Sequence, residues 1–126
     1  MDDQTTVAYL RKLVDNFREE RQWHDSPREL TLSMAAEVGQ LAAHFRFRSD
    51  EEIEALLKDY TTRRAIAHEI ADVLYHVLAL ASTVDFDLSA VFRDKLALAA
   101  TKYPVAHSQG RTRTPKNHGR KERVIS

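Results

Sequence analysis

Cysteine is absent from this 126-residue chain, and glycine and proline occur only three times each. Without cysteine there is no disulfide staple and no thiolate metal site, and a reducing compartment is compatible with the composition. Gly39 is the only glycine before Gly110. So few helix breakers, with Ala and Leu abundant, argue for an all-helical domain. No apolar run approaches the length needed to span a bilayer, so no membrane association is expected. The opening MDDQTTVAYL is acidic and lacks a signal-peptide pattern, which makes a cytoplasmic protein the expectation.

What is present suits one globular domain: 43% hydrophobic and 30% charged residues in a length that buries a real core. The net charge of zero conceals an asymmetry. Residues 1–105 hold 13 Lys/Arg against 18 Asp/Glu, a net −5, whereas residues 106–126 hold six Lys/Arg and one Glu, a net +5. A helical domain is therefore expected over 1–105. A basic, polar, flexible tail is expected over 106–126. Such a tail reads either as a solubilising segment or as one making weak contacts with nucleotide or nucleic acid.

Five helices are legible. The first runs near Gln4 to Trp23, with Val7, Leu10, Leu13, Val14 and Phe17 at the 3.6-residue period. Ser26-Pro27-Arg28-Glu29 marks the second start: a capping serine, proline at the first helical position and glutamate three residues after the cap. That helix is expected to reach about Phe47. Ser49-Asp50-Glu51-Glu52 opens a short third helix with a second capping box. A fourth runs near Thr62 to Val84, and a fifth from Asp87 to Tyr103-Pro104, where proline ends it. Long helices with short connections predict a helical bundle. The fourth helix is apolar over more than half its circumference, and a second subunit is one way to cover that surface.

Two of these helices carry polar stripes beside their apolar ones. Glu37, Gln40 and His44 stand at i, i+3 and i+7, and Glu69, Asp72 and His76 repeat the pattern. If the two helices pack antiparallel, four oxygen-bearing side chains converge. Three carboxylates in a poorly solvated cleft need compensation. All-oxygen ligation suits magnesium or manganese, and magnesium commonly shares its shell with substrate phosphates. The bland alternative stays open: Glu-x-x-Asp on a helix is often just a solvated face, and each histidine suits a hydrogen-bonded edge position. A di-iron bundle would want Glu-x-x-His at i, i+3, a spacing neither stripe has.

Several linked segments resemble the MazG-like all-α nucleoside triphosphate pyrophosphatases, the group that includes dCTP pyrophosphatase. They are "FREERQW" at 17–23, "SPREL" at 26–30, "EVGQLAAHFRF" at 37–47, "EIADVLYHVLALA" at 69–81 and "KLALAATKYPV" at 95–105. The resemblance implies a MazG-like four-helix bundle with a short extra helix, dimerising through its central helices as a dimer or dimer of dimers. It implies magnesium-dependent hydrolysis of a (deoxy)nucleoside triphosphate between the α- and β-phosphates, giving the monophosphate and pyrophosphate. Of the family's four acidic ligands, Glu37, Glu69 and Asp72 match, and Gln40 stands at the fourth. Lys95, Lys102 and Tyr103 match residues the family places at the phosphates. Trp23, Phe47 and His76 fall where aromatic contacts to the nucleotide are expected.

The departures define two function classes. Gln40 removes one negative charge from the ligand set. Ala99 stands for an asparagine, Phe47 for a tryptophan and His76 for a tyrosine. Either the chain is a magnesium-dependent pyrophosphohydrolase, with Glu37, Glu69, Asp72 and Lys95 catalytic, or it is a divergent module that binds nucleotide with weak or no turnover. A purely structural helical dimer is the third reading.

Overall fold

The computed structural model describes residues 1–110, and among these the chain folds into six helices with no strand. Side-chain caps open the first four. Thr6 Oγ1 accepts the Tyr9 N–H at 3.0 Å and starts α1 (Val7–Glu20). Ser26 and Glu29 exchange side chain and backbone in a complete capping box ahead of α2 (Pro27–Ala43), at 3.2 and 2.8 Å. Ser49 and Glu52 repeat those distances at α3 (Asp50–Lys58). Asp59 accepts both the backbone N–H and the hydroxyl of Thr62 at the start of α4 (Tyr60–Val84). Beyond it lie α5 (Leu88–Lys102) and α6 (Val105–Ser108).

The helix ends show how a glycine-poor chain stops its helices. Among the described residues three non-glycine residues take positive φ: Gln22 at 54°, Phe47 at 63° and Asp85 at 63°. At the end of α1 the Trp23 N–H returns to the Arg18 carbonyl and the Gln22 N–H to the Glu19 carbonyl. This is a Schellman closure with glutamine in the left-handed position that glycine usually fills. Its customary apolar contact is the edge-on packing of Trp23 against Phe17, centroids 5.8 Å apart. Arg11 secures the end of α4. Its guanidinium donates to the Ala81 and Phe86 carbonyls at 3.1 and 2.6 Å and to Ser82 Oγ at 2.8 Å. It supplies both donors and positive charge where helix carbonyls are left over.

Helix α4 is the axis on which α1, α2 and α3 pack. Val14, Leu30, Leu78 and Ala79 form the core, and Ala79 is wholly inaccessible, so α1 and α2 approach α4 closely there. Leu30 meets α4 near Leu78 while His44 meets it at Glu69, so α2 and α4 run antiparallel. By length and composition α4 is long and apolar enough to cross a membrane, with mean hydropathy 1.2. This corrects the expectation that no segment approaches that limit. The apolar surface of α4 serves as the packing axis of three helices, and Glu69 and Asp72 sit within its span.

Contacts divide the chain into two units, Met1–Leu88 and Ser89–Ser126. The first contains α1 to α4, and the second most of α5 and all of α6. The expected boundary at 105/106 falls at the start of α6, and the basic tail from residue 111 onward lies outside the described residues. Helix α2 ends at Ala43, short of the expected 47, because residues 44–47 form a turn closing on the Leu41 and Ala42 carbonyls.

Candidate functional site

The antiparallel register of α2 and α4 brings the two polar stripes onto neighbouring edges. They meet directly at one point: His44 Nε2 lies 2.7 Å from Glu69 Oε2, with both side chains about three-quarters buried. Glu69 Oε2 is itself buried and makes no well-aligned hydrogen bond, so it sits within ion-pair reach of His44 without the geometry of a good donor–acceptor pair. Glu37 is half-buried midway along α2, while Gln40 and Asp72 are exposed.

His76 has a defined proton. Its Nδ1 is 2.7 Å from the Asp72 carbonyl oxygen, which can only accept, so Nδ1 carries a hydrogen. The ring packs edge-on to Tyr75 at 5.1 Å, and Tyr75 packs edge-on to Phe17 at 6.2 Å. An aromatic path therefore runs from the second stripe to Trp23. Burial raises the Tyr75 hydroxyl pKa above its ordinary value. Arg18 and Arg21 oppose that shift and Asp25 reinforces it.

Among the described residues no three His, Asp or Glu side chains stand close enough to ligate one metal ion. The structure joins Glu69 to His44 and does not gather Glu37, Glu69 and Asp72 into a ready-made cluster. The donor types, three carboxylates and an amide oxygen, suit a hard divalent cation, and one carboxylate oxygen of Glu69 is buried without a hydrogen bond. Phe47 is 96% exposed in its left-handed turn, with the Arg46 guanidinium 5.5 Å from its ring centroid. A large aromatic held in solvent at positive φ is unusual and has no packing reason. Lys95, Lys102 and Tyr103 belong to the second unit, all exposed, with Lys102 Nζ 5.6 Å from the Tyr103 ring.

His44, which the sequence marks as an edge histidine of the first stripe, is the direct partner of Glu69, and one further residue escapes the sequence reading. Arg18 is only 8% exposed and its Nε has no hydrogen-bond partner among the described residues. Its signal was available, since a charged residue at i+4 from Val14 continues the buried face of α1.

The fold and site define an all-α helical protein whose central antiparallel helices each carry an acid-bearing stripe. The family model for phosphoribosyl-ATP pyrophosphohydrolase matches residues 10–96. Rattus norvegicus dCTP pyrophosphatase 1 is 35% identical over 107 residues, covering 83% of this chain and 63% of the relative. Homo sapiens dCTP pyrophosphatase 1 is 33% identical over 118 residues, covering 90% of this chain and 69% of the relative. The chain belongs to the MazG-like phosphoribosyl-ATP pyrophosphohydrolase family. It spans a little under two thirds of the length of the rodent relatives, at 63%.

Proposed function

We propose that this chain is a divalent-metal-dependent nucleotide pyrophosphohydrolase that splits a (deoxy)nucleoside triphosphate between its α- and β-phosphates into monophosphate and pyrophosphate. The observation that carries the reading is the His44–Glu69 contact, because it ties two acid-bearing stripes across one antiparallel helix pair. Similarity to dCTP pyrophosphatase 1 supports the same chemistry.

Glu37, Glu69 and Asp72 would hold the metal, magnesium or manganese, with the Gln40 amide oxygen assisting. When bound, such a cation neutralises phosphate charge and acidifies a coordinated water. The chain's own residues supply the rest. By the family resemblance alone, Lys95 and Lys102 would supply fixed positive charge to phosphates and the Tyr103 hydroxyl a hydrogen-bonding group. Trp23, Phe47 and His76 would offer ring faces to the nucleoside. Positioning and charge account for most of phosphoryl-transfer catalysis, so no protein nucleophile is needed.

A homodimer or dimer of dimers through the central helices belongs to this reading. Large apolar side chains such as Leu32, Val38, Ile70, Leu74 and Phe92 are exposed on the single chain, and a subunit interface would cover surface of that kind. A cytoplasmic location also belongs to it.

A panel of dNTPs incubated with magnesium and purified protein tests the proposal through pyrophosphate release. No release from any of them at high protein concentration overturns the catalytic claim. A second reading, nucleotide binding with little turnover, is favoured by the neutral amide at Gln40. Calorimetric binding of a triphosphate without hydrolysis would select it.

A further inference from the structure

The side chain of α2 that reaches Glu69 is an imidazole. His44 Nε2 stands 2.7 Å from Glu69 Oε2, and both side chains are about three-quarters buried. At that separation an N–H aimed at the oxygen would make a strong, charge-assisted hydrogen bond. None is made: Glu69 Oε2 is inaccessible to solvent and has no aligned donor among the described residues. The two atoms are thus held together without the hydrogen bond that would explain their approach. A buried carboxylate oxygen in this position is costly unless a positive group pairs with it.

A shared cation accounts for both the distance and the missing hydrogen bond. Two ligands bonded at about 2.1 Å and at right angles around one ion stand about 3 Å apart. The His44–Glu69 separation is close to that value. With its hydrogen on Nδ1, His44 offers an Nε2 lone pair to the same ion that Glu69 Oε2 would bind. No third His, Asp or Glu completes a set with them among the described residues. Such a pair suits an ion that takes its remaining ligands from water and substrate phosphates. The nitrogen then decides which ion. Magnesium keeps to oxygen ligands, whereas imidazole raises affinity for first-row transition cations such as cobalt and zinc.

We infer that His44 is a metal ligand, forming with Glu69 a mixed nitrogen–oxygen seat across α2 and α4 that selects a first-row transition cation over magnesium. This rests on the divalent-metal reading above and narrows the class of ion. Gln40 lies one turn before His44 on α2 and brings only a neutral amide, so the imidazole is the stronger donor on that edge.

The probe is manganese(II) alone, added to the full chain without nucleotide. Pulsed electron paramagnetic resonance of the bound ion is expected to show the nitrogen hyperfine coupling of a directly bound imidazole. The coupling should vanish in His44→Leu and in His44→Gln and persist in His76→Leu. Glutamine keeps an amide that can hydrogen-bond Glu69, so His44→Gln preserves a purely positioning role while removing the nitrogen ligand. Calorimetric titration should show a preference for cobalt(II) over magnesium that falls by at least about tenfold in both His44 variants. Bound manganese without nitrogen coupling in the parent overturns the inference, whether or not the variants fold, and leaves an all-oxygen metal site standing. A coupling that survives His44→Gln or follows His76 also overturns it. So does an unchanged cobalt preference, or no manganese binding at all. Failure of the hydrolysis proposal would appear separately, as absent pyrophosphate release beside an intact nitrogen coupling.

Discussion

His44 Nε2 stands 2.7 Å from Glu69 Oε2, joining the C-terminal end of α2 to the middle of α4. The pair holds a carboxylate that the proposed chemistry assigns to a metal. His44 therefore contacts one oxygen of a carboxylate that the proposed metal would also need.

The first prediction concerns ligand charge. Gln40→Glu adds a carboxylate three residues along α2 from Glu37 and on the same edge. Metal affinity rises with the number of charged ligands, so manganese binding followed by electron paramagnetic resonance should tighten by roughly tenfold. Glu69→Gln should weaken it by a similar factor. Unchanged affinity in both variants would place the metal elsewhere.

Arg11→Met tests the end of α4. The substitution keeps much of the aliphatic stem but removes three hydrogen bonds, to the Ala81 and Phe86 carbonyls and to Ser82. Half-buried carbonyls at a helix end would lose their charged partner, and a cost of about 2–3 kcal/mol in urea unfolding is expected. Asp85, 4.0 Å from the same guanidinium and almost fully exposed, should contribute far less, and Asp85→Asn should leave stability nearly unchanged.

The capping boxes set part of the acid stability. Hydrogen bonds from the Ser26 backbone and side chain hold the Glu29 pKa below its ordinary value of 4.5, and Ser49 does the same for Glu52. Because the folded-state pKa is the lower one, this contribution is complete above pH 4.5 and is lost as the pH falls through the folded value. The double variant Glu29→Gln, Glu52→Gln should therefore show a flatter dependence of melting temperature on pH below 4.5. At pH 7 it should be less stable than the parent. An unaltered acid limb would contradict the assignment.

Phe47 separates stability from function. It is 96% exposed at φ 63°, so its side chain packs against little while its backbone is strained. Asparagine tolerates this conformation better. Phe47→Asn should raise stability by up to about 1 kcal/mol. It should also weaken triphosphate binding in calorimetry, since the stacking face is lost. Loss of stability would show that Phe47 packs in solution, as at a subunit interface.

Much of the fold was legible because it is local. The Ser26 and Ser49 capping boxes, proline at the start of α2 and the 3.6-residue periodicity lie within a few residues of one another, and each appears where expected. The ends were less legible. Without glycine nothing announced the left-handed Gln22, Phe47 or Asp85, and the four-residue α6 is too short to leave a periodic signal. The stripe residues were identifiable by type and spacing. Which of them would touch was not, because that depends on the register between α2 and α4.

The sequence by itself determined an all-α chain, its capped helix starts and the two acid-bearing stripes, with a neutral amide at Gln40. Helix formation and capping are decided by neighbours along the chain. Only the tertiary structure decided that His44 partners Glu69, that Arg11 closes the far end of α4, and that Arg18 is buried beside Trp23 with its Nε unpaired. Those relationships join residues of different helices, and close packing around Ala79 fixes how the helices meet.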